Sequence, residues 1–380
     1  MDTLIKRELE QIISDYLFKN KVIILFGPRQ TGKTTLVNEL VKKINRKTLF
    51  LNGDDYDIRE LFIEPNSTKM KPIIGNAQIL IIDEAQQIHN IGLVLKIIHD
   101  NYKNLQIIAT GSSSFEIANS INEPLTGRKL EFNLYPLSFE EMCNYHGYLN
   151  EKRLLDRRLI FGYYPDIVCN PNIEEKLIKS LSGSYLYKDV LRFGGINKPT
   201  VLEKILKALA LQLGSEVKYN ELAQTIGSDK NTIEKYINLL EKSFIIFKLS
   251  GYNKNIRNEI KKGKKFYFYD NGIRNAIIND FRPINVRQDM GALWENFVIS
   301  ERKKFLNNKE INSQLYFWRT TQQQEIDLIE DNNGVLNTYE IKYNPKKKPK
   351  LSKTFINAYP RHSYDIINPE NLTDFVYQNS

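Results

Sequence analysis

The sequence predicts an α/β chain whose first domain is built on a parallel sheet. Two features predict it: a phosphate-binding loop set between a strand and a helix, and a downstream alternation of short β-rich runs with helical segments. The loop is Gly27-Pro28-Arg29-Gln30-Thr31-Gly32-Lys33-Thr34-Thr35 and fits G-x-x-x-x-G-K-[ST]. The apolar run Val22–Phe26 reads as the buried strand leading in, and Thr34-Thr35-Leu36-Val37 opens a helical pattern leading out. Glycines let the backbone curl so that its N–H groups face phosphate oxygens, and the helix N-terminus adds its dipole. In that setting Lys33 would reach the β- and γ-phosphates of ATP, and the Thr34 hydroxyl would hold Mg²⁺.

The following strands are expected at 47–52, 79–84, 106–109 and 130–134. The third strand of the domain, Ile79-Leu80-Ile81-Ile82-Asp83-Glu84, carries two acids at its C-terminal end, where ligands of such sheets bind. Asp83 would coordinate Mg²⁺, directly or through water, while Glu84 would orient and polarise the attacking water. The fourth strand ends in Thr110-Gly111-Ser112-Ser113-Ser114, where Thr110 and Ser112 are candidates to sense the γ-phosphate or to hold the catalytic water. Arg128 precedes the last strand; it would act as an arginine finger toward a neighbouring subunit's nucleotide, or pair with a carboxylate on its own surface.

At 380 residues the chain has room for two or three domains. Its 41% hydrophobic and 26% charged residues are those of a soluble globular protein, and no run approaches the 18 apolar residues of a membrane span. The formal charge of +9 favours a polyanionic partner such as nucleic acid, or reflects basic surfaces throughout. Cys143 and Cys169 have no zinc spacing and need not pair, which suits a reducing cytoplasm. The charged start, Asp2 through Arg7 and Glu8, is no signal peptide.

The loop, the Asp83-Glu84-Ala85-Gln86 motif, Thr110-Gly111-Ser112-Ser113, and Gly127-Arg128 followed by Tyr135-Pro136-Leu137-Ser138-Phe139-Glu140-Glu141 together resemble the prokaryotic AAA-type ATPases that carry a C-terminal domain of unknown function. The resemblance covers nearly the whole chain. It implies an AAA+ core over 1–148 and a ring-like homo-oligomer such as a hexamer, with ATP at subunit interfaces.

Residues 149–199 read as helices interrupted by Gly162-Tyr163-Tyr164-Pro165 and closed by the linker Gly194–Pro199, a helical lid or a spacer. Within 200–253, a short helix from Val217 ends at Gly227, Ser228 and Asp229 supply cap chemistry, and Thr232–Leu240 gives a second helix. With a strand from Phe244 to Leu249, this is the order of a winged helix-turn-helix. Its second helix mixes Glu234 and Glu241 with Lys230, Lys235 and Lys242, which argues against sequence-specific base readout and leaves DNA shape contact or protein packing.

The last segment, 254–380, holds a second set of charged residues. Glu295 sits in an apolar helix, and strands are expected at Leu315–Arg319, Glu325–Ile329 and Thr338–Lys342. Asp327 with Glu340-Ile341-Lys342 resembles the PD-(D/E)xK nuclease superfamily, a restriction-endonuclease-like fold. Glu340 and Lys342 share a strand face because side chains repeat every two residues. Asp327, Glu340 and Glu295 would hold Mg²⁺, with Lys342 beside the attacking water. The run Gln322–Gln324 stands where a glycine turn is expected. Lys346, Lys347, Lys348, Lys350 and Lys353 follow directly, spaced by Pro345 and Pro349, and suit phosphate contact. The expected function is an ATP-hydrolysing AAA+ ATPase that remodels or translocates on duplex or branched DNA. The alternatives are an ATP-gated, metal-dependent endonuclease and a nucleotide-driven switch for a protein partner.

Overall fold

The computed structural model describes residues 4–112, 125–183, 198–253 and 263–377. Ser113, Ser114 and residues 194–197 of the expected linker lie outside these. The chain divides into two compact units, residues 1–136 with 242–244, and residues 137–241 with 245–380.

The first unit is a five-stranded parallel sheet of β1 (Val22–Phe26), β2 (Thr48–Asn52), β3 (Ile79–Asp83), β4 (Gln106–Gly111) and β5 (Lys129–Asn133), in the order β2-β3-β4-β1-β5. Every residue of β1, β3 and β4 is buried, which is why these strands read as unbroken apolar runs rather than alternating ones. Leu36, Val37 and Leu40 of the helix Lys33–Lys42 pack on Ile23, Leu25, Ile81 and Ile108, joined by Leu9 and Ile13 of the first helix. Placing β4 between β1 and β3 brings the loop after β1 and the acids after β3 to one edge of the sheet, where Phe26 faces Gly111 and Ile82 faces Ala109.

The second unit contains a seven-stranded mixed sheet made of β6 (Glu216–Val217), β7 (Ile246–Gly251), β8 (Lys264–Phe268), β9 (Gln314–Arg319), β10 (Glu325–Asn332), β11 (Val335–Ile341) and β12 (His362–Ile367), in the order β12-β11-β10-β9-β7-β8-β6. Three helices, Pro199–Leu211, Tyr219–Ile226 and Lys230–Lys242, accompany β6 to β8. Gly227 ends the second of them at φ 75°, in the left-handed region that favours glycine. Asp229 caps the third, accepting from the Thr232 backbone N–H at 2.8 Å and its hydroxyl at 2.6 Å. The long helix Met290–Asn308 is followed by the antiparallel β9-β10-β11, the helix Lys353–Ala358, and β12 running parallel to β11.

β7 pairs with β9, so one sheet runs through both 200–253 and 254–380 within the second unit. The strand expected to start at Phe244 begins at Ile246, since Phe244 turns at φ 57°. The helices of the expected lid are fastened within the second unit. Asn275 donates to the Leu159 and Ile160 carbonyls at 3.1 and 2.8 Å, and Asp270 accepts from the Tyr163 N–H at 2.6 Å.

Candidate functional site

Two glycines are needed to shape the loop after β1. Gly32 sits at φ 89°, and a Cβ on Gly27 would lie 2.2 Å from the Leu134 carbonyl oxygen. The helix Lys33–Lys42 has no side-chain cap, so its first N–H groups are left for an anion. Lys33 is buried and its Nζ donates to the Gly27 and Pro28 carbonyls, each at 2.9 Å. Those are neutral acceptors of the loop itself, which nucleotide phosphates would outcompete as charged ones.

Asp83, at the end of β3, accepts from the Thr34 hydroxyl at 2.8 Å on Oδ2 and from the Thr110 hydroxyl on Oδ1. A hydroxyl and a carboxylate side by side are the hard oxygen donors that Mg²⁺ takes, so the residues fit that ion. Glu84 stands at φ 47°, and its N–H donates to Thr110 Oγ1 at 3.3 Å. Its carboxylate accepts from Gln86 Nε2, which also donates to Ser112 Oγ at 3.0 Å.

The structure thus brings Lys33, Thr34, Asp83, Glu84, Thr110 and Ser112 to one edge of the sheet. Thr110 is fully buried, donates its hydroxyl proton to Asp83 and accepts from the Glu84 N–H, so it positions the two acids. Ser112 is buried under Gln86. Arg128 is not part of this edge. It precedes β5, whose Lys129 is registered with Val22 at the start of β1, and its Nε donates to Asp100 at 3.0 Å. Of its two expected roles, the surface ion pair is the one the structure shows.

Arg7 was not foreseen. It is buried and donates to the Thr31 carbonyl at 2.6 Å and the Tyr135 carbonyl at 2.7 Å, tying the loop to the segment after β5. Arg7→Ala strands two acceptors, a loss of about 1–3 kcal/mol. Nucleotide affinity is expected to weaken about tenfold, the equivalent of about 1.4 kcal/mol, in a fluorescent-nucleotide titration.

In the second unit, β10 bulges against β9 between Ile326 and Ile329, and the extra residue re-aims Asp327 toward β11. Asp327 Oδ2 accepts from the Ile341 N–H at 2.8 Å and from Lys342 Nζ at 2.7 Å; Lys342 also lies 2.7 Å from Glu340. Burial, then the Asp327 charge, pushes the Glu340 carboxyl up to about 7. Burial opposes the Lys342 ammonium, yet Asp327 and Glu340 outweigh it and raise its pKa. Glu295 accepts from the Tyr267 hydroxyl at 2.6 Å and lies 3.4 Å from Lys265, which also pairs with Glu325.

Glu295, Asp327, Glu340 and Lys342 therefore share one cluster, with Lys342 between Asp327 and Glu340 and Lys265 between Glu295 and Glu325. Among the described residues no three carboxylates, histidines or cysteines form a group able to hold a metal ion. Lys265 and Tyr267 were missed. Strand alternation over Lys264–Phe268 puts both on one face, although only the tertiary fold puts Glu295 opposite. The expected glycine turn before Glu325 is filled by Gln323 at φ 65°. The described residues contain no helix long and apolar enough to cross a membrane.

The first unit is a P-loop domain of the AAA type: the family described as AAA domain matches residues 19–143. Two further families match, both domains of unknown function, DUF8612 over residues 152–284 and DUF4143 over 290–376. The chain is 26% identical over 346 residues to an uncharacterised protein of Mycobacterium tuberculosis, covering 90% of this chain and 74% of that one. It is 22% identical over 383 residues to an uncharacterised protein of Methanocaldococcus jannaschii, covering 94% and 83%. Among solved structures, the RuvB Holliday junction branch migration motor of Thermotoga maritima is similar at 15% identity and a TM-score of 0.28, over 68% of this chain and 95% of that one.

Proposed function

We propose that the chain is an ATPase that binds ATP with Mg²⁺ in its AAA domain and hydrolyses it to act on DNA. The observation that carries this reading is the convergence of Lys33, Thr34, Asp83 and Glu84 on one sheet edge beside an uncapped helix N-terminus. Lys33 would leave the loop carbonyls for the β- and γ-phosphates. Thr34 and Asp83 would hold Mg²⁺, which when bound neutralises charge on those phosphates. Glu84 would orient the attacking water and take its proton, with Gln86 and Thr110 fixing where its carboxylate and backbone lie. Assembly into a ring-like homo-oligomer and residence in a reducing cytoplasm belong to the same proposal; Cys143 and Cys169 form no disulfide, which agrees with the latter.

The DNA part rests on charge and on the second unit. The net charge is +9, and Lys346, Lys347, Lys348, Lys350 and Lys353 are exposed immediately after β11. The helix–strand–helix–helix–strand–strand order from Pro199 to Phe268 supports a winged helix-turn-helix. The helix–three-strand–helix–strand order from Met290, with the bulge at Asp327, supports a nuclease-like fold. Replacing Lys346, Lys347, Lys348 and Lys350 by Gln is expected to weaken duplex binding at all sequences. The slope of log affinity against log salt should shrink by about 0.9 for each phosphate that is no longer neutralised, read by fluorescence anisotropy.

ATP turnover measured with and without duplex, single-stranded and four-way-junction DNA tests the whole reading. Stimulation by one of them is the expected result. If no DNA binds at low salt and none alters turnover, the partner is not DNA and the nucleotide-driven protein switch takes its place.

A further inference from the structure

Lys265 is 1% exposed, on a strand of the winged segment, with its ammonium group among residues far away in sequence. It lies 3.4 Å from Glu295 Oε1, ion-paired with Glu325, and 5.4 Å from the centre of the Phe317 ring. Glu295 comes from the long helix, Glu325 opens β10 and Phe317 lies on β9, so one cation joins three elements.

A buried ammonium is tolerated only where carboxylates surround it, and buried carboxylates only where cations or donors do. Here each of the four acids has a cation beside it. Lys342 bridges Asp327 and Glu340, each at 2.7 Å, Lys265 bridges Glu295 and Glu325, and Arg319 lies 3.5 Å from Glu325. Four carboxylates face two ammonium groups and one guanidinium. Two of the same oxygens take a further donor: Asp327 Oδ2 takes the Ile341 N–H, and Glu295 Oε1 takes the Tyr267 hydroxyl. Gly214 closes the far side of Glu295, where an added Cβ would stand 3.2 Å from both carboxylate oxygens. A divalent ion bridging these acids would have to displace Lys342 or Lys265 from between them.

We infer that Lys265 is the resident counter-ion of this cluster, standing where a divalent cation would otherwise bridge Glu295 to the strand acids, and that the cluster takes no divalent metal. The second unit would then grip nucleic acid through its exposed lysines without cutting it. This inference is independent of the nucleotide site.

Mn²⁺ titration of the full-length, nucleotide-free protein, followed by electron paramagnetic resonance of the free ion, tests it. Wild type and Asp327→Asn are expected to bind Mn²⁺ identically, any shared binding belonging to the loop site. Lys265→Met removes the charge while keeping the length, and should create a Mn²⁺ site. That site should be weakened at least about tenfold by adding Asp327→Asn, as for loss of one metal ligand. Mn²⁺ binding by wild type that Asp327→Asn abolishes would overturn the inference, whether or not Lys265→Met folds. A folded Lys265→Met protein that gains no Asp327-dependent site would overturn the role of Lys265.

Discussion

Lys33→Ala is expected to remove ATP turnover down to background, while destabilising the nucleotide-free protein by only about 1–3 kcal/mol. In the structure Lys33 Nζ is held by two carbonyls of its own loop, at 2.9 Å each. Such hydrogen bonds to neutral acceptors contribute about 0.5–1.5 kcal/mol net apiece, and the loop keeps its Arg7 and Thr31 hydrogen bonds without them. In the transition state the same ammonium would face charge spread over the γ-phosphoryl oxygens. Removing one preorganised donor to such developing charge costs about 10²–10³ in rate, and the loss of a full charge lies at the upper end. Glu84→Gln separates the two halves of the site. It should retain nucleotide binding and lose turnover by a similar factor, because an amide still fills the space beside Gln86 but takes no proton. Phosphate release measured against fluorescent-nucleotide binding distinguishes the variants. Wild-type turnover by Lys33→Ala would place hydrolysis elsewhere.

What was legible in the sequence is what is local in the chain. The loop, its strand and its helix are contiguous, and β1 is found over Val22–Phe26, the run that its unbroken apolar character marks. Asp83 and Glu84 were readable as candidates because ligands of a parallel sheet bind at strand ends, and a strand end is visible as the close of an apolar run. The site's other members were hidden by distance along the chain. Arg7 meets Tyr135, and Lys265 meets Glu295 and Glu325; no periodicity in either segment encodes its partner. Thr110 could be placed at a strand end, but its hydrogen bond to Asp83 depends on β4 lying beside β3. The continuity of the sheet across 253/254 is hidden for a similar reason. A composition shift marks a change of local character, but the pairing of Ser250 with Tyr316 and Gly251 with Phe317 joins the two segments into one sheet.

The same distance rule hides the partners of an ion pair buried in the second unit. Glu301 and Lys304, one turn apart on the long helix, are 1% exposed and form an ion pair at 2.7 Å. Glu301 also accepts from the Phe139 N–H at 2.7 Å, and Lys304 donates to the Leu137 carbonyl at 3.0 Å, so the pair anchors the start of the unit. Lys304→Met is expected to cost about 3–5 kcal/mol, because it leaves a carboxylate buried without its counter-charge. Burial already holds the Glu301 carboxyl above its ordinary range while Lys304 pulls it down, so losing Lys304 raises it further. A group whose folded-state pKa is raised binds more protons folded than unfolded. Its contribution is complete below the ordinary carboxylate value and is lost as pH rises through the folded value. The deficit of Lys304→Met should therefore be larger at pH 8 than at pH 5 in urea denaturation of the full chain. Glu301→Gln combined with Lys304→Met should recover most of it, since the amide still accepts from Phe139 and carries no charge. A Lys304→Met deficit that is small and flat across that pH span would mean that water or another cation reaches Glu301, and the anchor would then be the backbone hydrogen bonds alone.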